Sequence, residues 1–148
     1  MLMKQTRRIA ILVACLFFLA ACAPAPAASQ GSIQIFDPWI RPALSGGNSA
    51  AYMVIKNTGS QDDQLVGAAF SPAQMVSIME TTMQNNHMSM ADVSSIAVPA
   101  GGQVELKAGG YHVMLMNLAG ELKTGDSVSL TLNFQKAGAV TLQVPVKQ

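Results

Sequence analysis

The chain has 148 residues, half of them hydrophobic, with nine Lys/Arg against eight Asp/Glu and a formal net charge of +1. That balance gives no electrostatic case for nucleic acid or an anionic lipid surface as partner. Its two cysteines, Cys15 and Cys22, both lie near the N-terminus, so no disulfide framework can staple the body of the protein.

Lys4, Arg7 and Arg8 precede an apolar run from Ile9 to Ala21, too short to span a bilayer and flanked like a secretory signal. Residues 1–21 therefore read as an export signal. Leu19-Ala20-Ala21-Cys22 resembles the lipobox of bacterial lipoproteins. The resemblance implies cleavage before Cys22, acylation of that cysteine, and a protein anchored in the bacterial periplasm with no other tie to the membrane. The alternative is ordinary cleavage a few residues later, within Ala23-Pro24-Ala25-Pro26-Ala27-Ala28. Residues 22–31, rich in Ala, Pro and Ser, read as a flexible tether. Residues 32–148 read as one domain, long enough for one core and too short for two. Losing Lys4, Arg7, Arg8 and Cys15 with the leader leaves six basic residues against eight acidic ones, and no cysteine in the folded body.

Short alternating or β-branched stretches then recur between turn signals, the pattern of an all-β sandwich or barrel. In chain order they are Ser32 to Phe36, Ala50 to Lys56, Gln64 to Phe70, Gln74 to Thr82, His87 to Met90, Ser94 to Val98, Gln103 to Leu106, His112 to Leu118, Ser127 to Phe134 and Ala139 to Val146. Asn57-Thr58-Gly59-Ser60, Gln84-Asn85-Asn86, Pro99-Ala100-Gly101-Gly102, Ala108-Gly109-Gly110 and Lys123-Thr124-Gly125-Asp126 supply the turns. Val128, Leu130, Leu132 and Phe134 alternate with Ser129, Thr131 and Asn133, which gives that strand one buried and one wet face.

The chemistry lies in methionine. Met75, Met79, Met83, Met88 and Met90 crowd one segment, and Met114 and Met116 follow in the strand that holds His112. Residues two apart on a strand share a face, so His112 and Met114 project together, and Met88 pairs with Met90 beyond the Asn85-Asn86 turn. One donor from each arm of that hairpin, set against His112 and Met114, makes a four-ligand pocket. Thioethers and one imidazole are soft, neutral donors, which suit monovalent copper far better than zinc, calcium or magnesium. In an oxidising envelope a thioether also stays available where paired thiols tend to end as disulfides.

At these residues the chain resembles the PCuAC family of periplasmic copper(I) chaperones. Their motif is His or Met, ten residues, Met, twenty-one residues, His, one residue, Met. Here Met79, Met90, His112 and Met114 stand at those intervals. The likeness extends through Trp39-Ile40-Arg41, Ala50-Ala51-Tyr52-Met53, Asn57, Asp63-Gln64-Leu65-Val66-Gly67, Ile96-Ala97-Val98-Pro99-Ala100-Gly101-Gly102 and Gly109-Gly110-Tyr111-His112. Met79 departs from the histidine most relatives have, and Ala108 from a common proline. The resemblance implies a cupredoxin-like Greek-key β-sandwich. It also implies a copper(I) site made by Met79, Met90, His112 and Met114. A monomeric metallochaperone follows, one that delivers copper to cuproprotein recipients such as the copper centres of cytochrome c oxidase under assembly. His87 and Met88 are accessory candidates from their place beside the Asn85-Asn86 turn alone, not from the motif.

Other readings stay open. Met75, Met79 and Met83 recur every four residues and could form a helix stripe, and Met75, Met83 and Met116 could pack a core; Met53 reads as core. His87 could be a solvated turn residue, Trp39 and Arg41 could organise packing and surface hydrogen bonds, and Glu80 and Asp92 read as wet surface. An electron carrier of the blue-copper type needs two His and a Cys at the metal, which the folded body lacks. A non-catalytic surface binding module, or an envelope protein for copper tolerance or storage, is the remaining alternative. An enzyme has the least support, since no nucleophile-base arrangement or open zinc site appears.

Overall fold

The computed structural model describes residues 24–148; the export signal, the lipobox and Cys22 lie outside them. Eleven strands follow one another: β1 (Ala28–Gln30), β2 (Ile33–Ile40), β3 (Ser49–Asn57), β4 (Asp63–Ala69), β5 (Ala73–Gln84), β6 (His87–Asp92), β7 (Ile96–Val98), β8 (Gln103–Leu106), β9 (Tyr111–Leu118), β10 (Ser127–Phe134) and β11 (Gly138–Pro145). They form two antiparallel sheets. The larger runs β1-β2-β3-β9-β5-β6, with β8 also pairing β3, and the smaller runs β11-β10-β4-β7. The expected all-β sandwich is what the chain builds.

The alternation in sequence fixes which face each strand buries. Leu130, Leu132 and Phe134 of β10 and Val140, Leu142 and Val144 of β11 meet Ile33, Ile35, Ile55, Val113 and Leu115 of the large sheet in one core. Two buried polar side chains tie its edges. Asn57 at the end of β3 donates from Nδ2 to the carbonyls of Gln61 (2.7 Å) and Val98 (3.1 Å) and accepts from the Gly59 amide, bridging the sheets. Asp63 at the start of β4 accepts from the amides of Gln64, Lys136 and Ala137 at 2.7–2.9 Å and so pins the β10–β11 turn.

Two features depart from the sequence reading. Ala28–Gln30, within the segment read as tether, pairs with Gln30 opposite Ile33 and Ala28 opposite Ile35. An edge strand of this kind needs only backbone partners for the outer groups of β2, so no side-chain pattern announces it. The second strand also continues past Phe36, through Pro38, to Ile40. A bulge makes this possible: the β2–β3 register shifts between Phe36 and Trp39, with Asp37 left-handed at φ 48°. The extra residue asks nothing of proline's missing N–H and moves every later side chain to the opposite face. Ile33 and Ile35 point into the core before it, Pro38 and Ile40 after it, and Trp39 is turned outward.

The β5–β6 hairpin turns on Asn85 and Asn86, both left-handed at φ 50° and 62°, the backbone a two-residue type I′ connection requires. Asn tolerates that conformation where most side chains cost about 1–2 kcal/mol per residue. The double variant Asn85→Ala/Asn86→Ala should therefore speed amide hydrogen exchange across residues 82–89 and leave the exchange of β9–β11 amides unchanged.

Candidate metal centre

β9 lies between β3 and β5, and its residues alternate between the core and an outer face. Val113 and Leu115 are sealed inside, whereas His112, Met114 and Met116 share the outer side. Across β5, Met79 stands opposite His112, Ser77 opposite Met114 and Met75 opposite Met116. β6 extends the same face: Asp92 pairs with Met79, Met90 with Thr81, and Met88 with Met83. On the other flank Ala50 of β3 pairs with Met114, which sets Tyr52 beside His112.

A cleft of about 340 Å³ opens on this face, lined by Met88, Met90, His112 and Met114 together with Tyr52, Thr81 and Arg41. Three of the four motif donors thus share its wall. Met79 is half-buried and sits across from His112 in the strand register. Met88, read as an accessory donor, also lines the cleft. His87, the other accessory candidate, faces the opposite side of β6, because strand neighbours alternate and Met88 faces the cleft. It pairs with Gln84 and is solvated, so the structure gives it no place among the donors.

His112 is nearly buried, at 4% exposure, and its ring is held from two sides. Nδ1 lies 3.1 Å from the Gly110 carbonyl oxygen. A carbonyl only accepts, so Nδ1 carries a proton; in the neutral tautomer that leaves Nε2 with the lone pair, the usual arrangement of a ligating histidine. The same carbonyl accepts the Thr81 amide at 3.0 Å, so one backbone oxygen ties the ring to β5. From β3, Tyr52 stacks at 6.4 Å between ring centroids, tilted by 43°, and Trp39 backs Tyr52 at 4.6 Å. The bulge at Asp37 is what brings Trp39 to this side.

The methionine exposures show which of them pack the core. Met75, Met83, Met88 and Met90 are 60%, 64%, 63% and 53% exposed, so none of them fills the core. Met116 is half-buried, and Met53 is buried as its neighbours suggested. The helix-stripe reading fails, because Met75, Met79 and Met83 lie on one strand. Glu80 faces away, opposite Tyr111, while Asp92 sits exposed beside Met79. Among the described residues no three His, Cys, Asp or Glu side chains gather in a metal-binding arrangement. Soft donors are what this face offers.

Sequence reasoning missed Tyr52, Thr81 and the Gly110 carbonyl as parts of the site. Tyr52 and Gly110 lie in stretches that carry the family likeness, but their roles depend on the β3–β9 and β5–β9 registers, which no local pattern reveals.

Comparison with known proteins bears on the family and the fold. The model of the LpqE-like family, whose description is that of a lipoprotein, matches residues 33–146. The protein Lxx21020 of Leifsonia xyli subsp. xyli, which also carries a lipoprotein name, is 35% identical over 99% of this chain and 90% of its own length. Among solved structures, the copper-bound PCuAC domain from PmoF2 superposes with a TM-score of 0.68 at 28% identity, over 80% of this chain and 95% of that one. CuI-DR1885 from Deinococcus radiodurans superposes with a TM-score of 0.57 at 32% identity, over 76% and 78% of the two chains. From Ile33 to Val146, then, the chain belongs to the LpqE-like family and carries the fold of the PCuAC domains.

Proposed function

We propose that this protein is a copper(I)-binding metallochaperone of the bacterial envelope, with the cuprous ion as cargo held by Met79, Met90, His112 and Met114. The observation that carries the reading is the convergence of Met90, His112 and Met114 on one open cleft, with the imidazole fixed so that Nε2 is its free donor. The donor set fits the ion: thioethers need no deprotonation, and a neutral imidazole and three sulfur ethers are the ligands monovalent copper prefers. Two relatives of known structure are described as copper-bound or CuI forms, which supports the same cargo here.

The cleft is far roomier than one ion needs. Its roughly 340 Å³ falls at the low end of small-molecule sites and leaves space for a side chain from another protein to approach the metal. Neutral donors can then be displaced one at a time by incoming ligands, without a change of oxidation state. We infer that the recipients are cuproproteins under assembly, such as the copper centres of cytochrome c oxidase, and that a Cys22 lipid anchor holds the carrier in the periplasm. The lipoprotein names of the family and of Lxx21020 support the anchoring.

Competition titration against a chromophoric copper(I) chelator tests the proposal. One equivalent should be drawn tightly from the chelator. His112→Ala should weaken the binding of that equivalent. Affinity unchanged in His112→Ala would remove His112 from the site, and a chelator that wins at every ratio would remove copper.

A further inference from the structure

The β5–β6 hairpin outruns the rest of its sheet. Glu80, opposite Tyr111, is the last β5 residue paired with β9, and the Thr81 amide makes a final bond to Gly110. Beyond that point residues 82–89 pair only with each other. On this projecting ribbon Met83 and Met88 are direct cross-strand partners, on the donor face, 64% and 63% exposed. Neither stabilises the core, and a polar side chain would serve a solvated ribbon better.

Side chains at directly opposed positions have Cβ atoms about 4.5–5.5 Å apart, close enough for two flexible thioethers to clasp one soft cation. Met90 follows Met88 two residues along β6 on the same face, and both line the cleft. Met83, Met88 and Met90 therefore stand at neighbouring positions on one face between the hairpin tip and the cleft that His112 lines. A second pair, exposed Met75 and half-buried Met116, lies at the far end of the face, but neither residue lines the cleft.

We propose that Met83 and Met88 form a second soft-cation site, a loading site that takes a cuprous ion at the hairpin tip and passes it to Met90 and the cleft. This rests on the cleft being a cuprous site. The transfer exchanges one neutral sulfur ligand for another: a copper–sulfur bond to Met83 breaks as one to Met90 forms. Copper stays monovalent and no proton moves.

The test uses protein labelled at the methionine methyl carbons and titrated with silver(I), a redox-inert stand-in for copper(I), with the methyl resonances read by NMR. The first equivalent should shift Met90 and Met114, and the second Met83 and Met88. Met83→Leu should remove the second event, leave the affinity for the first equivalent unchanged, and slow copper(I) loading from a chelate at least about tenfold, the scale on which a lost metal-site partner acts. Met75→Leu should do none of these. Met83 and Met88 methyls that stay still through two equivalents, an unchanged loading rate in Met83→Leu, or an equal slowing in Met75→Leu would each overturn the loading site. Failure of the cleft itself would look different, with Met90 and Met114 unmoved by the first equivalent.

Discussion

Replacing Met79, Met90 and Met114 with leucine should abolish copper(I) binding while the protein stays folded. Methionine to leucine nearly conserves volume, and such swaps cost less than about 1.5 kcal/mol each. All three residues lie on the outer face, Met90 largely in solvent and Met79 and Met114 half-buried. What leucine lacks is the sulfur lone pair. Loss of a single outer partner of a metal ligand already lowers affinity by about 10–100-fold, so losing three ligands should take binding beyond measurement. His112→Ala should act alike, and the fold tolerates it for a visible reason: the Gly110 carbonyl still accepts the Thr81 amide. Thermal unfolding read beside the chelator competition separates the two properties. A variant that unfolds yet still takes up copper would return the methionines to a packing role.

Asp63→Asn should produce the largest loss of stability at a site remote from the cleft. Burial of this carboxyl, at 4% exposure, would by itself raise its pKa. The backbone amides of Lys136, Ala137 and Gln64, with the Lys136 charge nearby, more than offset that and hold it below the ordinary carboxylate value. An amide in its place turns one acceptor into a donor that faces an N–H. Hydrogen bonds to a charged group contribute about 1.5–3 kcal/mol each; these three share one group and are not additive, and we expect a loss of about 3 kcal/mol. Because the folded pKa lies below the unfolded one, the wild-type advantage is complete above the unfolded value, about 3.9, and disappears as pH falls through the folded value. Denaturant midpoints for wild type and Asp63→Asn should thus converge as the pH is lowered from about 5 through the carboxylate range. A constant gap across that range would show that the carboxylate charge is not what pins the turn.

Much of the site could be read from residue spacing, because a strand has a period of two and a short turn preserves it. His112 with Met114, and Met88 with Met90, were paired by that rule, and the structure keeps both pairs on one face. The same rule, applied one residue further, would have turned His87 away. What spacing could not show is how strands align across the sheet. The opposition of Met79 to His112, the stacking of Tyr52 and the shared Gly110 carbonyl are products of pairing between segments far apart in sequence. The bulge at Asp37 is the sharpest case. Pro38 reads as a strand breaker, yet one unpaired residue lets the strand continue with its faces exchanged, and Trp39 moves from core to site. Local sequence places Met53 inside, between Tyr52 and Val54, but leaves Met75, Met83 and Met116 open, because an exposed and a buried methionine on an alternating strand look alike until the facing strands are known.

Because β5 and β9 carry the sealed interior on one side and the donors on the other, ligand identity is insulated from foldability. A descendant could trade Met79 for an imidazole, or lose a sulfur altogether, without disturbing Ile78, Val113 or Leu115 behind it. Selection can therefore retune how firmly such a domain grips its cargo, one substitution at a time, through intermediates that all remain viable proteins.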